Sequence, residues 1–220
     1  MEHLTLIIPA KNEKESLPNV LSELKKYNLK IIVVLEKEDL ETINSIKEHD
    51  CKILHQINKG YGDALTQGLR NVKTNFFCFF NADGSFNPNE LKNMYDLAVK
   101  RNADFIFGSR YMSGALSQDD TIITLIGNKI FTFIGQFFFS LPISDILYTF
   151  VLGDTQKANN LQLKEKSFSF CVELPILAKK SKHKLISVPS HERARIAGKK
   201  KVNEFKDGFL ILINMIKIYF

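Results

Sequence analysis

The sequence predicts an α/β protein built on a mostly parallel sheet with helices on both faces. Three observations predict it. Short apolar runs without polar alternation, at residues 4–8, 30–35 and 76–80, suit strands buried on both faces. Segments of helical period alternate with those runs, as in a parallel, doubly covered sheet. The strongest run, Phe76-Phe77-Cys78-Phe79-Phe80, stops abruptly at Asn81-Ala82-Asp83-Gly84-Ser85-Phe86-Asn87-Pro88. Ligands of open α/β sheets bind outside the carboxyl ends of the strands. Asp83 at such an end offers a hard oxygen ligand suited to Mg²⁺ or Mn²⁺, which in turn holds a diphosphate. The same cluster also reads as a plain turn, since every residue from Asn81 to Ser85 except Ala82 is a turn former.

The elements follow in order. Residues 4–8 form the first strand, ended by Pro9, and Ala10-Lys11-Asn12-Glu13 make a polar loop. Asn12 or Ser16 caps the next helix, which carries Leu17, Val20, Leu21 and Leu24 at helical spacing. A second strand at 30–35 leads through a polar helix, about 39–49, to a third strand at 52–56. Asn58-Lys59-Gly60-Tyr61-Gly62-Asp63 opens a helix through Ala64, Leu65, Leu69 and Val72. The fourth strand is the phenylalanine run. After Pro88 a helix, about 89–101, places Leu91, Met94, Tyr95 and Ala98 on one face. A fifth strand at 105–108 is closed by Ser109-Arg110-Tyr111, and a polar loop runs to Asp120. The apolar segment 122–141 follows, then Asp145, a helix at 173–183, a strand at 185–189, a basic loop at 191–201 and an apolar helix at 205–220.

At 220 residues the chain reads as one domain over 1–220, large enough for a proper core. The net charge of +6 favours a polyanionic partner. Nucleic acid is excluded as that partner, because the basic loop lacks interleaved aromatic residues and no nucleic-acid module is present. Cys51, Cys78 and Cys171 have no metal-ligand spacing, which points to a reducing compartment. No leader segment is read at the N-terminus. No stretch reaches the roughly 18 uninterrupted apolar residues of a membrane span.

Between Lys179 and Lys201 lie nine Lys or Arg and one acid, Glu192. Such a cluster suits phosphate, Arg as a fork and Lys as a point charge; a solvated surface is the alternative. Arg110 either meets an anionic ligand or pairs with a neighbouring carboxylate. Glu173 is either a site carboxylate or an acid favoured by a helix dipole; Asp145 is a site residue or a cap. The segment at 122–141, with five phenylalanines and polar breaks at Asn128, Lys129 and Gln136, suits an interfacial helix or a lipid-acceptor groove, and otherwise a core or dimer helix. The helix at 205–220 is too short to cross a membrane alone, and lies along its surface, packs on a neighbour or leads into a longer chain.

The ordered series Ile7-Ile8-Pro9-Ala10-Lys11-Asn12-Glu13, Asn58-Lys59-Gly60-Tyr61-Gly62-Asp63-Ala64, Asn81-Ala82-Asp83-Gly84-Ser85 and Gly108-Ser109-Arg110-Tyr111 resembles family 2 glycosyltransferases, with a glycosyltransferase A fold. Asp145, Glu173-Leu174, Val188-Pro189 and Arg195-Ile196-Ala197-Gly198-Lys199-Lys200-Lys201 resemble the dolichol-phosphate mannosyltransferase-like branch. The resemblance implies inverting transfer of a sugar from a UDP- or GDP-linked donor to a polyprenyl phosphate, with Mg²⁺ or Mn²⁺, at the cytoplasmic face of a membrane. It assigns Pro9, Ala10, Glu13, Glu36, Asn58, Gly60, Gly62, Asn81, Ala82 and Asp83 to the donor, and Asp83 and Ser85 to the metal. It assigns Arg110, Arg195 and Lys201 to phosphates, and Ser109, Asp145 and Glu173 to the acceptor side. Two positions depart from the family pattern: Asn81 replaces the first acid of Asp-x-Asp, and Leu35-Glu36-Lys37-Glu38 replaces Asp-Asp-x-Ser. These departures support a silent, nucleotide- or partner-binding relative as one alternative; a transferase with a non-lipid glycan acceptor is the other.

Overall fold

A computed structural model of the protein describes residues 1–198 and 201–220. The strands, in chain order, are β1 (Leu4–Pro9), β2 (Lys30–Leu35), β3 (Lys52–His55), β4 (Phe76–Phe79), β5 (Phe105–Ser109), β6 (Leu116–Ser117), β7 (Val151–Asp154), β8 (Leu185–Pro189) and β9 (His191–Glu192). The α-helices are α1 (Leu17–Leu24), α2 (Leu40–Ile46), α3 (Tyr61–Arg70), α4 (Leu91–Arg101), α5 (Ile122–Phe139), α6 (Thr155–Asn160), α7 (Phe170–Lys180) and α8 (Glu204–Tyr219). Seven strands make one sheet in the order β3-β2-β1-β4-β7-β5-β8, and β6 pairs with β9 in a small second sheet.

Alternation along β1 shows why the apolar runs need no polar residues. Ile7 packs into one core with Val34, Phe77 and Phe79, whereas Leu6 and Ile8 pack into the other with Val33, Cys78 and Phe80. Both faces are therefore dry. β1 is parallel to β2 and β4, and β5 is parallel to β8. Between those blocks β7 runs antiparallel to both β4 and β5. Neither β7 nor α6 is anticipated above. A four-residue strand containing Gly153 resembles a loop, but that glycine lets the rings of Phe105 and Phe77 close over it.

Several boundaries shift. The third strand ends at His55 and the helix before it covers only Leu40–Ile46. The helix expected at 173–183 is Phe170–Lys180, and the first two residues of the basic loop are strand β9. Ser16 takes the N-cap position of α1, but its hydroxyl donates to Glu13 Oε2 at 2.6 Å rather than capping the helix. Asn12 sits at φ 53° and also leaves the helix uncapped.

Candidate functional site

A cavity of about 900 Å³ opens at the carboxyl ends of β1, β2 and β4. One end is lined by Pro9, Ala10, Glu13, Glu36 and Gly60. Its middle holds Asn81, Ala82, Asp83, Arg110, Arg195 and Lys201. Its far end is apolar, walled by Ile123, Ile126 and Ile130 of α5 and by Gly208 and Ile211 of α8.

The segment after β4 is a closed turn, and Asn81, Ala82 and Asp83 of it line the cavity. Asp83 Oδ1 accepts from the Ser85 amide at 3.0 Å, which closes the turn. Gly84 sits at φ 83°, and Ile196 Cδ1 lies 2.5 Å from where a Cβ would be, so glycine is required twice over. Asp83 Oδ2 faces the cavity with Arg195 Nη1 at 3.5 Å. Ser85 is buried and its hydroxyl accepts from Asn81 Nδ2 at 3.1 Å, so it braces the turn from below instead of facing the cavity.

The basic segment lies along this turn. The Ile196 amide donates to Asp83 O at 2.8 Å and the Arg193 amide to Ser85 O at 2.8 Å. Among the described residues, Arg193, Arg195 and Lys201 are partnered by carboxylates. Arg193 forks onto Glu23, Arg195 forks onto Asp119 at 3.2 and 2.6 Å, and Lys201 contacts Glu13. Three cations of the expected patch, Arg193, Arg195 and Lys201, are thus ion-paired with carboxylates. Lys199 and Lys200 of that motif lie outside the described residues.

Arg110 is nearly enclosed. Its Nε and Nη2 fork onto Asp145 at 2.7 and 3.0 Å, and Nη1 reaches Asp120 at 3.1 Å and Glu192 at 3.5 Å. Its guanidinium lies over the Tyr148 ring. Burial works against its charge, but Asp145 and Glu192 outweigh burial and raise its pKa further. The geometry is therefore that of the neighbouring-carboxylate alternative. Asp145 is 0% exposed and supports Arg110 from beneath without lining the cavity. Burial pushes the Glu192 carboxyl above the ordinary range, opposed by Arg110 and by the Ser117 hydroxyl.

Other expected residues do not line the cavity. Asn58 bonds Asp63 Oδ1 at 3.1 Å at the start of α3, and Gly62 is covered by the backbone of Glu165 and Ser167. Ser109 is buried and accepts from Ser144 at 2.8 Å. Glu173 is buried and accepts from the amides of Lys164 and Glu165. Conversely, Asp119, Asp120, Glu192, Tyr61 and Phe168 line the cavity without having been singled out for it. The paired acids at the end of the polar loop were the available signal for Asp119 and Asp120.

The donor set around Asp83 is all oxygen. Among the described residues no three His, Cys, Asp or Glu converge as a metal cage. One cavity-facing carboxylate in an oxygen-lined turn nevertheless fits Mg²⁺ or Mn²⁺, since such ions take one or two carboxylates and complete their shell with phosphate and water.

Solved structures with this fold include glucosyl-3-phosphoglycerate synthase from Mycobacterium tuberculosis in complex with UDP. It is 11% identical, with a TM-score of 0.78 over 99% of this chain and 80% of that one. Mannosyl-3-phosphoglycerate synthase from Rubrobacter xylanophilus is 13% identical, with a TM-score of 0.75 over 98% of this chain and 73% of that one. A complex of the first enzyme with Mn²⁺, UDP and phosphoglyceric acid has a TM-score of 0.74 at 12% identity, over 99% and 78% of the two chains. The architecture is the glycosyltransferase A fold. The chain belongs to glycosyl transferase family 2, whose model matches residues 5–161. An uncharacterized protein of Methanocaldococcus jannaschii is 25% identical over 98% of this chain and 91% of its own. The UDP-N-acetylglucosamine–dolichyl-phosphate N-acetylglucosaminyltransferase of Methanococcus voltae is 25% identical over 84% of this chain and 83% of its own.

Proposed function

We propose that residues 1–220 act as one metal-dependent, inverting glycosyltransferase domain, moving a sugar from a nucleotide-sugar to a polyprenyl phosphate at the cytoplasmic face of a membrane. The observation that carries this reading is a single cavity joining the Asp83 turn to an apolar mouth between α5 and α8. The outer surface of that mouth is apolar. Ile122 is 76% exposed, Phe133 62%, Phe137 68% and Phe209 65%. Exposed apolar area on this scale marks a binding or membrane face. The Methanococcus voltae relative supports a UDP-linked donor and a lipid phosphate acceptor.

In the proposed reaction, Pro9, Ala10 and Glu13 hold the nucleoside end. An acceptor phosphate has its second pKa near 6 and is largely ionised at neutral pH, so it needs no protein base. Its oxygen attacks the anomeric carbon, the bond from that carbon to the diphosphate breaks, and the nucleoside diphosphate leaves with the electron pair. Arg195 and Lys201 neutralise the leaving group once the donor draws them from Asp119 and Glu13. Asp83, beside Asn81, would hold Mg²⁺ or Mn²⁺, which supplies Lewis-acid neutralisation of the diphosphate when bound. Arg110 maintains the acidic cluster beside the reacting centre.

That cluster favours a second reading. Asp120, Asp145 and Glu192 outnumber Arg110, which repels an incoming phosphate and suits a hydroxyl acceptor of a soluble glycan. Incubating the protein with Mn²⁺, a panel of UDP- and GDP-sugars, and either prenyl phosphates or soluble glycans separates the two. Extraction of labelled sugar into the lipid phase is expected. Labelling of a soluble glycan alone would transfer the assignment to the second reading.

A further inference from the structure

The cavity wall beside the Gly60 turn is held from behind by a buried acid that the reaction above does not use. Glu173, in the first turn of α7, is 5% exposed and does not line the cavity. Both its oxygens accept from the Lys164 amide, at 3.0 and 3.2 Å, and Oε2 also accepts from the Glu165 amide at 3.0 Å. Those amides belong to the connection between α6 and α7. The same connection presses its backbone on the glycine turn at the start of α3. Its Lys166 carbonyl accepts from the Asp63 amide at 3.2 Å. The carbonyls of Lys166 and Glu165 occupy the space where a Cβ at Gly60 or Gly62 would stand. Two residues further on, the Phe168 ring stacks on Tyr61, with centroids 5.0 Å apart and planes at 22°. Tyr61 shares a hydrogen bond of 2.6 Å with Thr149. Tyr61, Phe168 and Thr149 all line the cavity.

We infer that Glu173 is a positioning residue for the nucleotide: through the 164–168 strap it fixes the Tyr61–Phe168 wall, with Gly60 and Gly62 as the side-chain-free surface the strap lies on. This inference rests on the donor-site reading above. A carboxylate is suited to the task because two neighbouring amides need acceptors in one buried place, and a single carboxylate supplies both. The change Glu173→Gln would leave one oxygen and set an N–H against an N–H, so the strap loosens without the core being emptied.

The test uses the Glu173→Gln protein, hydrogen exchange, and calorimetric titration of UDP and GDP with Mn²⁺. Amides 61–64 should exchange about tenfold faster while those of β1 and β4 keep their protection, and affinity for the nucleotide should fall about tenfold, the scale of one lost charge-assisted hydrogen bond. Phe168→Leu removes only the ring and should weaken nucleotide binding similarly; it carries the test if Glu173→Gln does not fold. The double variant should bind no more weakly than the worse single variant, because both changes act through one wall. Faster exchange confined to 164–165, unchanged affinity in either folded variant, or multiplicative losses in the double variant would each overturn the inference. Failure of the wild-type protein to bind either nucleotide would instead overturn the donor-site reading, while exchange at 61–64 would still decide whether the strap acts on the turn.

Discussion

Arg110 carries three ion pairs in a space where Asp145 has no contact with solvent. Removing one partner of a buried charge network strands the others. Arg110→Gln should therefore cost about 3–5 kcal/mol in urea unfolding, whatever its effect on turnover. A loss under about 1 kcal/mol would mean that the acids are not held by that guanidinium. Glu192, on the same network, is held against its charge by burial. Burial raises its folded carboxyl above the ordinary glutamate value, so between the unfolded and folded values the folded state holds a proton that the unfolded state has released. Its contribution to stability is present below the unfolded value and is lost as pH rises through the folded one. Glu192→Gln should flatten that fall, and the check is a comparison of melting curves from pH 4 to 7. An unchanged slope would contradict the assignment. The chain alone revealed part of this residue-scale picture. Asp83 was legible because an apolar strand stops at it. The carboxylates around Arg110 were not, because Asp120, Asp145 and Glu192 are scattered in sequence and meet only through the β6–β9 pairing and the loop that leads to β7.

Among the elements, α5 is built inside out. Asn128 donates to the Tyr111 hydroxyl at 2.9 Å, the Thr132 hydroxyl accepts from the Ile146 amide at 3.2 Å, and Gln136 donates to Ile143 O at 2.8 Å. These residues recur every four positions and bond the helix to the protein, while Ile122, Phe133, Phe137 and Phe138 are exposed and Phe131, Ile134 and Phe139 pack on the core. In sequence Asn128 and Gln136 look like interruptions of an apolar helix; in the fold they are its attachment. Composition shows that a helix is apolar, but it cannot show which stripe is buried when the polar one is. Among the described residues α5 is also the only helix long and apolar enough to cross a bilayer. Its polar stripe on the protein favours lying at the interface. Replacing Phe133 and Phe137 together by Ser should change unfolding free energy by no more than about 0.5 kcal/mol per site, since both rings are exposed. The same variant should lose co-sedimentation with anionic liposomes. Retained co-sedimentation would contradict the interfacial role of α5.

On the scale of the whole molecule, the parallel strands up to β5 were legible because both-face burial leaves uninterrupted apolar runs. The antiparallel insertion of β7 was not, because it breaks the alternation of strand and helix that made the rest readable. That insertion brings Tyr148 and Thr149 to the cavity and Asp145 beneath Arg110. In the proposed reaction the cavity binds a nucleoside diphosphate through a cation held at Asp83. Calorimetric titration of UDP and GDP into the wild-type protein and into Asp83→Ala, each with Mn²⁺ and with chelator, tests it most directly. The wild type with Mn²⁺ should bind one nucleotide, and that binding should be lost with chelator or in Asp83→Ala. Equal binding in all four conditions, or binding of neither nucleotide in any of them, would contradict it.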